Sequence, residues 1–406
     1  MKYPFPVIRS IDDVERHREA GLIHEAFKCG RRDNGTVVYD YAYMDNHVFP
    51  PIDATPFASM ARELRGITFD AATGALLSRP YQKFFNAGER EEVLAQHIPF
   101  NDVHHVLEKL DGSMVHAFIA PDGSLAFATR WGVTPISQQA LAWFRDHDAD
   151  GAAGTAALVQ LVERGFTPIF EWTSPQNVIV VRHERPTLTL TGIRQRESGA
   201  YVSYDQLPDH AAAIGVPLVR ASGAVDHWES FVERAIAETE GEGYVIRFAD
   251  GHMLKIKNAI YARVHKFKAN LARDKDAAEI VISGALDDML PHLTATERET
   301  LETYRSAVFA RLNEHAADLD AIVHRARSEI ATEDARERQK RFWMGHAAPL
   351  GSPLSGFAVE IWIGRRAALE AITDGVLKNV GSNARFDTIV AALGLPRLSF
   401  GFDDDQ

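Results

Sequence analysis

With 406 residues, 46% of them hydrophobic, the chain is long enough for two or three domains with cores of their own. A net charge of −12 argues against a general nucleic-acid coat protein, but leaves room for an enzyme with a local basic groove. No uninterrupted apolar run is long enough to cross a bilayer, so no membrane association is expected.

The start, Met1-Lys2-Tyr3-Pro4-Phe5-Pro6, lacks the charged head and apolar core of a secretion signal. Cys29 is the sole cysteine, so neither an internal disulfide nor a cysteine zinc site can form, and a reducing, cytoplasmic setting is expected. The histidines show no zinc spacing, and His104, His105 and His183 read as structural or exposed.

Residues 12–29 read as one amphipathic helix, with Asp12 and Asp13 near its start and Gly30 past its end. From Thr36 to about Asn270, β-branched and aromatic runs alternate with Gly, Asp, Asn and Pro turns. Strands are expected at 66–69, 103–107, 114–119, 125–129, 168–172, 178–181, 187–193 and 244–248. Helices are expected near 137–146, 155–164 and 227–239, giving a hairpin-built α+β region rather than regular βαβ alternation. After about Asp274 the strand signals nearly vanish. Helical periodicity marks 277–290, 295–317, 319–341 and 356–372, interrupted by a loop at 347–353. The last residues, Asp403-Asp404-Asp405-Gln406, read as a frayed acidic tail. A domain boundary is expected within 262–275, dividing the chain into 1–265 and 266–406.

Lysine is scarce, at 11 of the 44 basic residues, yet Lys83, Lys109, Lys255 and Lys257 all fall in segments with other marks of chemistry. In Lys109-Leu110-Asp111-Gly112-Ser113 an apolar strand leads into Lys109, a turn follows, and a second strand leads away. By itself this is also the pattern of an exposed lysine before an ordinary turn. A lysine fixed at such a corner can reach a ligand while its stem stays partly buried. Burial beside other cations lowers an amine's pKa and frees its lone pair for attack.

Two Asp-Gly pairs read as two-residue hairpin loops. At Asp122-Gly123 the pairing becomes Ala120 with Leu125, Phe118 with Phe127 and Val115 with Arg130, which brings Arg130 beside the Lys109 corner. At Asp250-Gly251 it becomes Phe248 with Met253 and Ile246 with Lys255. Lys255 and Lys257 then share one face, with Tyr244 and Glu242 on the same side, and Leu254 and Ile256 on the other. Glu240-Gly241 offers the same parity, and the Tyr-Val run after Gly243 favours Glu242. A loop of another length breaks the argument. A face carrying a carboxylate and two ammonium groups suits a triphosphate with a divalent cation; a solvated strand presents the same mixture. Glu171 interrupts the apolar strand 168–172 and needs a partner there. Arg65 and Lys83 each place a cation at the edge of an apolar run.

Taken in order, Arg65-Gly66-Ile67, Lys83-Phe84-Phe85-Asn86, Lys109-Leu110-Asp111-Gly112-Ser113, Phe170-Glu171, Glu242-Gly243-Tyr244-Val245 and Lys255-Ile256-Lys257 resemble the covalent nucleotidyltransferases, and most closely the phage RNA ligase 1 family. The resemblance runs over roughly 36–320, from Tyr39-Asp40-Tyr41-Ala42 to Tyr261 and the segment 282–288. It implies an α+β fold, with an antiparallel-sheet nucleotidyltransferase domain followed by an all-helical C-terminal domain. It further implies an ATP-dependent ligase that joins RNA 3′-hydroxyl and 5′-phosphate ends with Mg2+ or Mn2+. Lys109 is then the residue that takes AMP. Tyr39, Arg65, Lys83, Phe85, Gly112, Arg130, Glu171, Lys255 and Lys257 are expected around ATP. Glu171, Glu242 and Asp287 are expected at metal, and Tyr261 is expected as an essential aromatic residue. Arg130 stands where the family typically has Lys, and Leu110 where an acidic residue can stand.

The helical C-terminal part favours an RNA ligase over a DNA nick ligase or guanylyltransferase, whose last lysine strand is usually followed by a β-rich oligonucleotide-binding fold. The basic run 336–341 suits an RNA backbone or a solvated helix face equally. By analogy the substrate is tRNA-like RNA; an exposed basic groove and a self-contained domain pair make a monomer the expectation. A non-catalytic RNA-binding protein on the same scaffold is the alternative of another class.

Overall fold

The computed structural model describes residues 3–398 apart from 45, 46, 56, 149–151, 226, 272 and 288. The acidic tail 403–406 therefore lies outside the described residues, as does Asp288 of the segment matched above. Chain packing divides the described residues into two compact units, one ending at Arg263 and one beginning at Val264.

The first unit is built on three sheets. β1 (Phe27–Arg31), β2 (Thr36–Tyr41), β3 (Ile67–Asp70) and β4 (Leu76–Ser78) form an antiparallel meander in chain order. The chain then lays down β5 (Phe85–Asn86), β6 (His104–Lys109), β7 (Ser113–Ile119), β8 (Leu125–Ala128), β9 (Phe166–Thr173), β10 (Thr187–Gln195), β11 (Ala221–Ser222), β12 (Gly243–Phe248) and β13 (Met253–Lys257). One sheet has the order β10-β9-β7-β8, and the other β11-β6-β12-β13-β5. All these pairings are antiparallel except β13 with β5.

Side-chain alternation positions the site. Val106 of β6, Ile246 of β12, and Leu254 and Ile256 of β13 turn into one core together with Tyr39, Phe49, Phe69 and Phe85. The neighbours of opposite parity, including Lys109, Val245, Lys255 and Lys257, are left for the other face. Val115, Phe127, Phe170 and Leu188 form a second core against Phe144, Leu158 and Ile214, which come from helices Pro135–His147, Ala153–Glu163 and Leu207–Ile214. Between the elements lies a fully enclosed charge triad. Glu63 accepts from Arg79 Nε at 2.9 Å and from Arg194 at 2.8 Å through each carboxylate oxygen. The two guanidinium groups hold its carboxyl down to about 2 against burial, which by itself raises it.

Three local expectations are corrected. The helix expected over 12–29 ends at Glu19, because Gly21 turns the chain with φ 67° and Phe27–Arg31 pairs with β2 instead. Residues 178–181 form no strand. The N–H groups of Val180 and Val181 donate to the Asp111 carboxylate rather than to a ladder. Both Asp-Gly hairpins close with three-residue loops. Ala120 N–H donates to the Ser124 carbonyl and Phe248 N–H to the His252 carbonyl, with Gly123 and Gly251 in the left-handed third position at φ 82° and 95°. Each register therefore slips by one residue. Ala117 faces Phe127, Ile246 faces Leu254, and Val245 faces Lys255.

Beyond Ala259–Leu271 the second unit is helical. Helix Ala295–Glu329 runs unbroken through the gap expected near 318, because Leu312, Ala316, Leu319 and Val323 continue one buried stripe. Thr294 and Glu297 cap its start reciprocally. The segment 356–372 divides into Leu354–Trp362 and Ala368–Leu377. Asn383–Leu393 is a helix that the periodicity reading passed over.

Candidate active site

Lys109 closes β6 at the wall of an open cleft of about 820 Å³, mouth included. The cleft takes Leu107 and Lys109 from β6, Val245 and Arg247 from β12, and Met253 from β13. Arg65, Tyr81, Phe84, Met114, Glu171 and Thr191 line its other walls.

Glu242 joins two of the expected lysines. Its carboxylate lies 2.7 Å from Lys109 Nζ and 3.1 Å from Lys257 Nζ, and only 3% of its side chain is exposed. This grouping was expected from a parity that does not hold. Tyr244 pairs with Ile256, so it falls on the face opposite Lys255 and Lys257, where its hydroxyl donates to Glu238 at 2.8 Å. Glu242 escapes that parity because Gly243 has φ 136°, a conformation that an L side chain rarely adopts. A Cβ there would meet the Ile256 carbonyl oxygen at 2.0 Å. The kink turns Glu242 to the lysines.

Lys255 lies deeper. Burial, with Lys83, Lys109, Lys257 and Arg65 nearby, holds its ammonium well below the usual range. Its Nζ stands 5.6 Å from the centre of the Phe84 ring. Glu171, opposite Met114 in the β7–β9 pairing, is pushed up to about 8 by desolvation and by the Glu242 and Asp111 carboxylates, against the pull of Lys109 and Arg65. Arg65 reaches the same wall, with Nη1 3.3 Å from Met114 Sδ.

The corner after Lys109 is tied on three sides. Asp111 accepts from Val180 N–H at 2.8 Å, from Val181 N–H at 2.6 Å and from the Tyr261 hydroxyl at 2.6 Å. Burial and the Glu242 and Asp111 carboxylates raise the Tyr261 hydroxyl far above its ordinary value, so it stays a donor. Gly112 is required by close approach, since a Cβ there would lie 2.4 Å from the Trp172 carbonyl oxygen.

Other expected residues do not converge here. Tyr39 is fully buried, and its hydroxyl donates to Glu15. Phe85 points into the core, and Phe84, of opposite parity, takes the cleft. Arg130 does not fold back to Lys109. Its Nε donates to Asp40 at 2.7 Å, its guanidinium covers the Tyr41 ring at 4.8 Å, and its Cα packs against Gly66. Lys83, by contrast, stays with the cluster as the cation acting most strongly on Lys255; its Nζ lies 5.4 Å from the Tyr41 ring and 5.3 Å from the Phe85 ring, and desolvation lowers its pKa. In the helical unit, Asp287 is an exposed partner of Arg305 at 2.7 Å. Among the described residues no cluster of three or more His, Cys, Asp or Glu is arranged for a metal ion. Sequence reasoning missed Tyr81, Phe84, Met114, Thr191 and Arg247. For Arg247, strand parity with the correct loop length supplies the signal, and for Phe84 its alternation with core-facing Phe85 does.

Comparison with known proteins adds three observations. The family model described as RNA ligase matches residues 63–264. A protein of Thermovibrio ammonificans provisionally named RNA ligase is 28% identical over 295 residues, which cover 70% of this chain and 75% of that protein. RNA ligase 1 of Bacteriophage TS2126 is 29% identical over 60% of each chain, and the bifunctional polynucleotide kinase/RNA ligase provisionally named in Autographa californica nuclear polyhedrosis virus is 28% identical over 57% of this chain and 35% of its own. Among solved structures, Naegleria gruberi RNA ligase with PPi superposes with a TM-score of 0.33 at 17% identity, over 40% of this chain and 51% of that one.

Proposed function

We propose, from the premise that this chain belongs to the RNA ligase family of the phage RNA ligase 1 type, that it is an ATP-dependent RNA ligase in which Lys109 takes AMP. The observation that carries this reading is the Lys109–Glu242–Lys257 grouping at the wall of the cleft, with Lys255, Arg65 and Glu171 beside it.

Only a neutral amine attacks, so the Lys109 ammonium first gives up a proton along its 2.7 Å contact with Glu242. Nζ then bonds to the α-phosphorus of ATP as the bond to pyrophosphate breaks. Lys255, Lys257 and Arg65 offset the negative charge that moves to the leaving group. AMP next passes from Lys109 to the 5′-phosphate of an RNA. The 3′-hydroxyl of a second end attacks that activated phosphate, forms the phosphodiester and releases AMP.

Glu171 and Glu242 fit a divalent cation such as Mg2+ or Mn2+. They are hard oxygen donors in one electrostatic neighbourhood, and the Glu171 carboxyl is raised first by burial and then by the Glu242 and Asp111 carboxylates, a balance that a cation would reverse. Bound there, the cation would supply positive charge to phosphate oxygens. Residues 1–265 are the adenylyltransferase domain in this reading, and 266–406 form a helical domain for RNA. The substrate is an end-bearing, tRNA-like RNA, and the protein works as a cytoplasmic monomer. None of the helices among the described residues is long and apolar enough to cross a membrane.

The test is incubation with ATP labelled at the α-phosphate, plus magnesium. A covalent protein label that disappears in Lys109→Ala supports the reading. No label, or a label that survives the substitution, overturns it and favours a non-catalytic scaffold. Competition of RNA against nicked DNA, and of ATP against GTP, separates it from a DNA nick ligase or guanylyltransferase.

A further inference from the structure

The cleft has a second charged end that the phosphate chemistry does not use. Arg247 lines it with only 4% of its surface exposed; the Tyr81 hydroxyl lies beside it and the Tyr204 ring 5.9 Å from its guanidinium carbon, yet neither Nη1 nor Nη2 has an acceptor in hydrogen-bond geometry among the described residues. A buried guanidinium with free N–H groups is costly unless a partner arrives.

The surroundings are built. Between Leu190 and Gly192 the β9–β10 register shifts, leaving Thr191 as the extra residue of a bulge and a member of the cleft wall. Bulges beside active sites re-aim side chains in this way. Thr191 Oγ1 donates to the Ile169 carbonyl at 3.1 Å and neighbours the Tyr81 hydroxyl, and a hydroxyl oxygen with two lone pairs keeps accepting capacity toward the cleft. Gly192 leaves room beneath Tyr81 and Arg247. A Cβ there would meet the Tyr81 hydroxyl at 2.5 Å and Arg247 Nη1 at 3.4 Å.

The spacing places this cluster at the base end of a nucleotide. Lys109 pairs with Gly243, and Arg247 stands four residues further along the same face of β12, roughly 13 Å away along the strand. Leu107 and Val245 form an apolar floor between them. With the α-phosphate at Lys109, a purine lies on that floor and presents to Arg247 the edge away from its ribose.

The geometry points to Arg247 as the residue that reads the base of the nucleotide donor, giving an N–H to a ring-nitrogen acceptor of adenine while Thr191 accepts from the exocyclic amino group. This rests on the nucleotide-binding reading above and adds a base-specificity residue to it. Arginine has donors only, so it rewards an acceptor and gains nothing from a C–H in its place.

The experiment compares ATP with its 1-deaza and 7-deaza analogues, each of which replaces one acceptor by C–H. Binding is measured by calorimetry in a Lys109→Ala background, where no covalent step follows, with and without Arg247→Met. With Arg247 present, one analogue binds about 10- to 100-fold more weakly than ATP, the value of one hydrogen bond to a charged donor. With Arg247→Met, ATP weakens by a similar factor and that analogue is no longer disfavoured. Equal binding of all three nucleotides to the Lys109→Ala protein overturns the assignment without reference to the second variant. So does discrimination that survives Arg247→Met, or a failure to bind ATP at all. ATP binding with no covalent label on the unsubstituted protein sinks the ligase reading alone.

Discussion

The hydroxyl of Tyr261 donates to Oδ1 of Asp111 at 2.6 Å, across 150 residues of chain. Its partner carboxylate also holds the N–H groups of Val180 and Val181 through Oδ2. Asp111 is therefore a tie that fixes the corner after Lys109 to Tyr261, just past β13, and to the segment before His183. Tyr261→Phe removes one of three bonds to a carboxylate. It is expected to cost about 1–3 kcal/mol of stability and to slow label formation on Lys109 while the circular dichroism spectrum stays unchanged. An unaltered labelling rate would show that the tie does not position Lys109.

Glu242→Gln leaves Lys109 and Lys257 facing each other without their shared counter-charge. Removing one member of a buried pair typically costs about 3–5 kcal/mol, reduced here because both lysines keep some exposure. The labelling rate should fall by about two orders of magnitude, the usual range for a lost proton-transfer partner. Glu242→Asp should not restore it, since the shorter side chain cannot span both ammonium groups. Single-turnover labelling of the three proteins distinguishes these outcomes.

Glu171 couples stability to pH. Its carboxyl is raised from 4.5 to about 8, so between those values the folded chain holds a proton that the unfolded chain has released. Its contribution is complete below 4.5 and is lost as pH rises through about 8. Glu171→Gln keeps the neutral shape at every pH. In the absence of nucleotide and metal, this variant should melt above the unsubstituted protein at pH 9 and level with it at pH 5. It should also be inactive in ligation. Parallel melting curves at both pH values would contradict the raised carboxyl.

Gly243→Ala tests the kink. Its Cβ would meet the Ile256 carbonyl oxygen at 2.0 Å, at a φ of 136°. Relief requires the backbone to move and Glu242 to leave the lysines. A clear drop in Tm, of more than 1 kcal/mol equivalent, should accompany loss of labelling. Gly241→Ala, with nothing within 4 Å of its Cβ, bears only the cost of its φ of 70° and should label nearly normally.

The two Asp-Gly hairpins show how far local sequence reaches. Asp122-Gly123 and Asp250-Gly251 announce their turns, and the flanking strands formed where the apolar runs lie. Loop length was not legible, because an Asp-Gly pair serves both a two-residue loop and the end of a three-residue loop. One residue of slip moved Tyr244 off the lysine face, and the Thr129–Gly132 turn after β8 carries Arg130 to Asp40. Similarly, apolar spacing in 12–29 suits a helix, but the chain turns after Glu19 and pairing of Cys29 with Tyr39 drew the end of the segment, from Phe27, into a sheet. Tyr39 kept its place on the strand, with a hydroxyl satisfied by half-buried Glu15.

The sequence by itself determined the order of the chemical residues, the lysine corner at 109, the alternation that separates Lys255 and Lys257 from Leu254 and Ile256, and the change from hairpins to helices after residue 274. These depend on residues close together in the chain, where propensity and parity act directly. Tertiary structure decided which carboxylate meets Lys109, which phenylalanine of Phe84 and Phe85 faces the cleft, and that Arg247 is buried at its far end with no acceptor for Nη1 and Nη2 among the described residues. Those outcomes turn on a positive φ at Gly243, a bulge at Thr191 and contacts made across more than a hundred residues. No local pattern encodes them, because each is set by what the rest of the fold leaves room for.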